Sequence, residues 1–267
     1  MEPEPNITAS AEANNNNNIN GDDVQTPTPQ EQVPSEPESA SAPTPKQEDK
    51  YYQDARKYWS RIAPTVDGML GGFGSISFTD IRGSDAFLKN LFKLKPAPGR
   101  GQALDCGAGI GRVSKGLLMS WFDRVDLAEQ DEQFCEKARN ELEPTGKLGT
   151  IYNKGLQEFV PEEGKYDLIW SQWVLGHLTD ADIVEFFFRC TKALKRNGLM
   201  VIKENFTNGD KPELDRCDSS VTRPLGIMKQ LLTKGNLRVV KELRQKDFPK
   251  GLYPVYMIAL RPIVNGS

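Results

Sequence analysis

Between Gln102 and Arg112 the chain reads Gln-Ala-Leu-Asp-Cys-Gly-Ala-Gly-Ile-Gly-Arg, and this stretch limits the possible folds more than any other. Gln102 to Cys106 is short and apolar, as a buried strand would be. Gly107, Gly109 and Gly111 make a loop without Cβ atoms, and Arg112 to Trp121 carries apolar residues at helical spacing. Strand, glycine loop and helix in that order bring the N–H groups of a helix N-terminus against a nucleotide-like ligand. The same order also serves as an ordinary strand-to-helix turn, so the neighbouring segments must decide. A dinucleotide fingerprint, G-x-G-x-x-G, would place glycine at position 112. Arg112 stands there instead, which sets a nicotinamide dehydrogenase far behind other readings.

The segments on either side alternate. Strands fit Arg124–Leu127, Thr150–Asn153, Tyr166–Trp170 and Leu199–Lys203, and a closing pair fits Leu237–Leu243 and Leu252–Arg261. Helices fit Tyr51–Ile62, Ser84–Phe92 with Ser84 as N-cap, Phe134–Leu142 and Leu225–Thr233. Another helix opens at Thr179 or Asp180 and stops at Asn197-Gly198. This pattern predicts an α/β, Rossmann-like fold with a seven-stranded, mostly parallel sheet.

Ligands of such sheets sit beyond the carboxyl ends of the strands. Glu129, 22 residues after Gly107 and followed by Gln130 and Asp131, stands where a ribose diol finds its acceptor; a surface acid in a charged patch is the plainer alternative. Leu156 and Gln157 fit the cap of an adenine ring. Gln172, Trp173 and His177 follow the most apolar strand, and His177 is the only histidine. A lone histidine is more often structural, but this one falls where reacting groups are expected.

Two further stretches stand out. Pro64 to Gly74 packs four glycines into seven residues around Met69, Leu70 and Phe73, which suits either a lid over a ligand or a loop packed on the core. Residues 205–224 are long and polar, with Asp210, Glu213, Asp215 and Asp218 ahead of Ser219 and Ser220. An acidic segment at a strand tip fits a cationic substrate or a solvated loop.

Composition separates the first fifty residues from the rest. They hold no aromatic residue, eight of the 18 prolines, the run Asn14 to Asn18, and ten acids against two lysines. They carry −8 while the chain of 267 residues carries −3, so residues 51–267 carry +5. Such a segment cannot bury enough apolar surface to offset its ordering entropy, and residues 1–49 read as a disordered acidic tail. A secretory leader is not expected, nor a membrane span. Cys106, Cys135, Cys190 and Cys217 lie far apart, so neither a disulfide framework nor a metal site is expected. The mild positive charge of the remainder argues against a large nucleic-acid surface.

With Asp105 two residues before the first glycine, the loop resembles the first motif of Rossmann-like methyltransferases that use S-adenosylmethionine. Larger blocks narrow the resemblance. Tyr58-Trp59, Pro64-Thr65-Val66-Asp67-Gly68-Met69-Leu70-Gly71-Gly72, Gln172-Trp173-Val174-Leu175-Gly176-His177-Leu178-Thr179-Asp180 and Asp218-Ser219-Ser220-Val221 are similar to blocks of the protein N-terminal α-methyltransferases, over roughly residues 51–261. That family methylates the α-amine of proteins beginning Xaa-Pro-Lys or Xaa-Pro-Arg after Met removal.

The resemblance implies the class I methyltransferase fold, with helices and a glycine-rich lid at 50–95, a cofactor domain at 96–263 and a substrate loop at 205–224. It implies cofactor contacts from Gly107, Arg112, Glu129, Gln130, Asp131, Leu156, Gln157 and Gln172, with Trp59 and Gly71 closing over them. Glu129 departs from the family's usual aspartate. Leu70, Trp173, Asn205, Asp215 and Ser220 would hold the peptide: Trp173 against the proline, Asn205 on the first peptide unit, Asp215, Asp218 and Ser220 toward the third-residue cation. His177 and Asp218 would act as base. S-adenosylhomocysteine would be the product, giving mono-, di- or trimethylated termini, without a metal. A monomer in nucleus and cytoplasm, free of membrane and of direct nucleic-acid contact, is the expected acting form. Rival readings are a small-molecule amine methyltransferase and a catalytically silent cofactor-binding module.

Overall fold

The computed structural model describes residues 45–264; residues 1–44, most of the stretch read as tail, lie outside the described residues. Helix α1 spans Pro45–Trp59, so it begins before residue 50 and stops short of Ile62. Strands follow as β1 (Gln102–Cys106), β2 (Arg124–Glu129), β3 (Leu148–Asn153), β4 (Tyr166–Gln172), β5 (Leu194–Thr207), β6 (Glu213–Asp215), β7 (Ser220–Pro224), β8 (Leu237–Arg244) and β9 (Val255–Pro262). The remaining helices are α2 (Val66–Met69), α3 (Ser77–Leu91), α4 (Met119–Trp121), α5 (Glu132–Leu142), α6 (Asp180–Ala193) and α7 (Leu225–Lys234).

Seven strands form the central sheet in the order β3-β2-β1-β4-β5-β9-β8, parallel from β3 to β5 and antiparallel at β9 and β8. The chain leaves β1 toward β2 and β3, then returns to the other side of β1 as β4. Strand order therefore reverses between β1 and β4, the place where open α/β sheets bind ligands. Side chains alternate across the sheet: Leu104 and Cys106 join Phe186, Phe187 and Tyr166 on one face, whereas Ala103 joins Phe87, Leu117 and Trp170 on the other.

Four local expectations change. Ser84 is not an N-cap: α3 starts at Ser77, and Ser84 is buried in its middle, its hydroxyl accepting from Lys203. Asn197-Gly198 lies inside β5, because α6 already ends at Ala193. The helix after the glycine loop contains a π-helical turn at Ser114–Leu118, where the Ser114 hydroxyl donates to Asp105 at 2.7 Å. Finally, the polar stretch after Asn205 is not a bare loop. The end of β5 pairs with β7, which pairs back with β6, so an added hairpin stands over the carboxyl end of the sheet.

Candidate active site

Two cavities meet at the carboxyl ends of β1 and β4, and Trp59, Met69, Trp173 and His177 belong to the walls of both. The first, with an empty volume of about 930 Å³, is lined by Gly107, Arg112, Glu129, Gln130, Leu156, Gln157 and Gln172, together with Trp59. Of the expected cofactor residues, Asp131 and Gly71 are outside this lining. Asp131 is the N-cap of α5, accepting from Phe134 N–H at 3.1 Å. Gly71 lies exposed at the turn after α2, with φ +57°.

Gly107 shows why the loop needs glycine: φ is +67°, and a Cβ there would stand 2.5 Å from Val174 Cγ2. Glu129 is buried beneath the loop. Its Oε2 accepts from Gly109 N–H at 2.8 Å and its Oε1 from Asp131 N–H at 2.9 Å. Each oxygen keeps a second lone pair, so the carboxylate can tie down the loop and still accept from a diol. Burial pushes its pKa up, opposed by those backbone donors. Asp105, also buried, is raised to about 6 by desolvation, opposed first by the Ser114 hydroxyl and then by Arg112.

Three α1 residues, Tyr52, Ala55 and Trp59, recur at helical spacing and face this cavity. Tyrosines fasten the helix. Tyr51 Oη donates to Gly176 O at 2.6 Å, while Tyr52 Oη donates to Asp182 and accepts from Thr179 N–H at 3.1 Å. Met69 reaches over the glycine loop, its sulfur 2.7 Å from where a Cβ of Gly109 would stand.

The second cavity, about 1230 Å³, is lined by Leu70, Trp173, Asn205, Asp218 and Ser220, all expected substrate or base residues. Asp215 is not among its walls: it is exposed on β6 and accepts from Cys217 N–H at 2.8 Å. Trp173 and Ser219 both have φ +53°, a conformation that L residues avoid and that is found at sites where the surroundings impose it. Trp173 Nε1–H donates to Asn205 Oδ1 at 3.1 Å. Since an indole N–H can only donate, the amide NH2 of Asn205 is left for an incoming acceptor.

His177 Nε2 accepts from Trp59 Nε1–H at 3.0 Å, and Nδ1 lies 3.3 Å from Ser219 O. Burial lowers its pKa, opposed by the Asp218 charge, the Ser219 contact and Asp215. Asp218 presents a buried Oδ1 with no hydrogen-bond partner among the described residues.

Several wall residues carried no signal of their own in the sequence. Phe248, from the β8–β9 connection, lies 6.5 Å from the Trp173 ring at 34°, and Tyr253 from the same connection donates to Glu213 of β6. Glu204 is buried beside the second cavity and accepts from Val174 and Leu175 N–H, both at 3.0 Å, with its pKa raised to about 7 by burial. Only spatial proximity across many residues brings Phe248 and Tyr253 to the site, whereas Glu204 is next to Asn205 at the strand tip.

The sheet order, the glycine loop at the switch point and a buried acid at the end of β2 together define a class I, S-adenosylmethionine-dependent methyltransferase. Residues 47–261 match the family described as AdoMet dependent proline di-methyltransferase, and the chain belongs to that family. The Alpha N-terminal protein methyltransferase 1 of Drosophila melanogaster is 50% identical over 220 residues, covering 81% of this chain and 78% of that one. The human N-terminal Xaa-Pro-Lys N-methyltransferase 1 is 44% identical over 218 residues, covering 81% of this chain and 97% of its own. Among solved structures, a SAM-dependent methyltransferase of Leishmania major superposes with a TM-score of 0.75 at 39% identity, covering 79% of this chain and 83% of that one.

The residues present fit the cofactor. A carboxylate with free lone pairs suits its diol, a guanidinium its carboxylate, and the apolar wall at Leu156 its adenine.

Proposed function

We propose that this enzyme methylates the α-amine of proteins beginning Xaa-Pro-Lys or Xaa-Pro-Arg. The observation that carries this reading is a cavity whose wall brings Asp218 together with Trp173 and Asn205 and which borders the cofactor cavity. An α-amine has a pKa of about 8, so much of it arrives as ammonium, which cannot attack. Asp218 accepts a proton from that ammonium and leaves the nitrogen lone pair bare. Trp173 offers a flat wall to the substrate proline, whose ring removes a donor and stiffens the chain. Asn205 NH2 donates to the first peptide carbonyl, fixing the amine's direction.

When bound, S-adenosylmethionine supplies an electrophilic methyl group on its sulfonium. The shared wall of Trp59, Met69, Trp173 and His177 orients the amine toward that end of the cavity, and positioning of this kind lowers the barrier substantially. Ser220 lies on the cavity wall and Asp215 outside it, so a third-residue cation would meet Asp218 and Ser220 first.

S-adenosylhomocysteine as product, a monomeric acting form and a nuclear and cytoplasmic location belong to the same proposal. Gel filtration and imaging of a tagged chain test the last two. The direct test of activity is mass spectrometry of two peptides, one beginning Ser-Pro-Lys with a free amine and one N-acetylated. Mass gain on the free peptide alone is the expected result. No gain on either, with the cofactor still bound, would remove the N-terminal assignment and turn the search to small amines or to a silent binding module.

A further inference from the structure

The cofactor cavity is built on a buried cluster of charge that reaches well beyond its walls. Asp80 of α3 is fully buried, and its carboxylate serves two cations: Oδ2 is 2.7 Å from Arg112 Nη1, and Oδ1 is 2.5 Å from Lys203 Nζ. Gln172 Nε2 donates to the same carboxylate at 2.9 and 3.0 Å. Lys203, on β5, is also fully buried and donates to Ser84 Oγ and Gln245 Oε1, both at 2.9 Å, and to Asp80 O at 3.1 Å.

Arg112 and Gln172 face the cofactor cavity, whereas Asp80, Lys203, Ser84 and Gln245 do not. Two cations share the Asp80 carboxylate, and Lys203 grips it from the side away from the cavity. Asp105, the other acid close to Arg112, is hydrogen-bonded to Ser114, and with its pKa raised to about 6 it is still mostly ionised near pH 7. A guanidinium fixed by one carboxylate can still present its remaining N–H groups to a second. Beyond the cluster, on the cavity side, the one anionic group S-adenosylmethionine carries is its α-carboxylate.

We propose that Asp80 is a positioning residue for the cofactor, holding Arg112 and Gln172 toward the methionine carboxylate, while Lys203, anchored on Ser84 and Gln245, fixes Asp80 from behind. The proposal rests on the assignment of Arg112 to the methionine end. It gives α3 a function: the N-terminal extension is a structural part of the cofactor site and not only a cover for it.

The test is calorimetric binding of two ligands to the full chain. S-adenosylhomocysteine carries the carboxylate; 5′-methylthioadenosine has the same nucleoside without the amino-acid end. Asp80→Asn is expected to weaken S-adenosylhomocysteine at least tenfold while changing methylthioadenosine less than twofold. If Asp80 acts through Arg112, the double variant Asp80→Asn/Arg112→Gln binds no worse than Arg112→Gln alone.

Lys203→Met covers the case in which Asp80→Asn does not fold, because it leaves Asp80 paired with Arg112 as a neutral pair of similar packing. It is expected to weaken S-adenosylhomocysteine several-fold and leave methylthioadenosine unchanged. Equal losses for both ligands, or no loss for either, in the folded variants would overturn the proposal. An Arg112→Gln variant that binds S-adenosylhomocysteine normally would overturn the Arg112 assignment itself, and the proposal with it.

Discussion

The indole N–H of Trp59 donates to His177 Nε2 at 3.0 Å, and this contact fixes the tautomer of the neutral imidazole. An indole nitrogen only donates, so Nε2 is the bare nitrogen and Nδ1 carries the hydrogen, which faces Ser219 O at 3.3 Å. The only free lone pair of the neutral ring is thus already engaged. His177 holds α1 on one side and the Ser219 turn, with its positive φ, on the other, so the proposed division gives the base role to Asp218.

That division predicts a pH signature for Asp218→Asn. Loss of the base should lower kcat about 100- to 1000-fold near pH 7. The deficit should shrink as pH rises past about 8, where the α-amine loses its proton unaided. A deficit that stays constant from pH 7 to 10 would remove Asp218 from the base role.

His177 is the chain's only histidine, so its NMR titration is free of overlap. Burial should place its pKa below the ordinary 6.5, and Asp218→Asn should lower it further, since the Asp218 charge opposes the shift. The linkage has one sign: the unfolded chain binds this proton more readily than the folded one. Stability attributable to His177 is therefore present above about 6.5 and is lost as pH falls through the folded pKa. A titration above 6.5 would contradict the burial argument.

Glu204 predicts the opposite slope. Its pKa rises to about 7 in the folded protein, so it keeps a proton that an unfolded glutamate gives up near pH 4 to 5. Wild-type stability from this group is lost as pH rises through 7. Glu204→Gln still offers one oxygen to Val174 and Leu175 N–H, so its melting temperature should gain on wild type from pH 5 to about 7 and level off above that. A gap independent of pH would show that ionisation of Glu204 is not linked to folding.

Gly107→Ala and Gly146→Ala make a matched pair. Both glycines have positive φ, +67° and +70°, but Gly146 has open space where Gly107 has Val174. Gly146→Ala should cost only the left-handed penalty, about 1–2 kcal/mol. Gly107→Ala adds the clash and should lower the melting temperature further and abolish calorimetric binding of S-adenosylhomocysteine. Similar melting temperatures for the two variants would mean that Val174 yields freely.

Phe248 extends the aromatic wall begun by Trp173. Losing an aromatic contact costs about 0.5–1.5 kcal/mol beyond area burial. Phe248→Ala should therefore raise the Kd of a Ser-Pro-Lys peptide about tenfold, with cofactor affinity unchanged. An unchanged peptide Kd would place Phe248 outside the recognition surface.

The amino-acid sequence by itself determined the α/β order, the central strand with its glycine loop, and most of the residues around both cavities. Those signals are local. Periodicity, turn chemistry and block resemblance act within a few residues, so Gly107, Glu129, Gln172 and Trp173 were legible where they stand. Tertiary structure alone decided the rest. Ser84 looked like a helix start until the burial of Lys203 gave its hydroxyl a partner 119 residues away. The stretch after Asn205 was too polar to mark as strands, yet the projecting end of β5 offered β7 an edge to pair with. Asp80 carried no motif; it matters because α3 and β5 bring Arg112 and Lys203 to one carboxylate. The state of His177 likewise depends on an indole 118 residues earlier in the chain. Charge and hydrogen bonding act through space, so a linear sequence names the groups while the fold decides which of them meet.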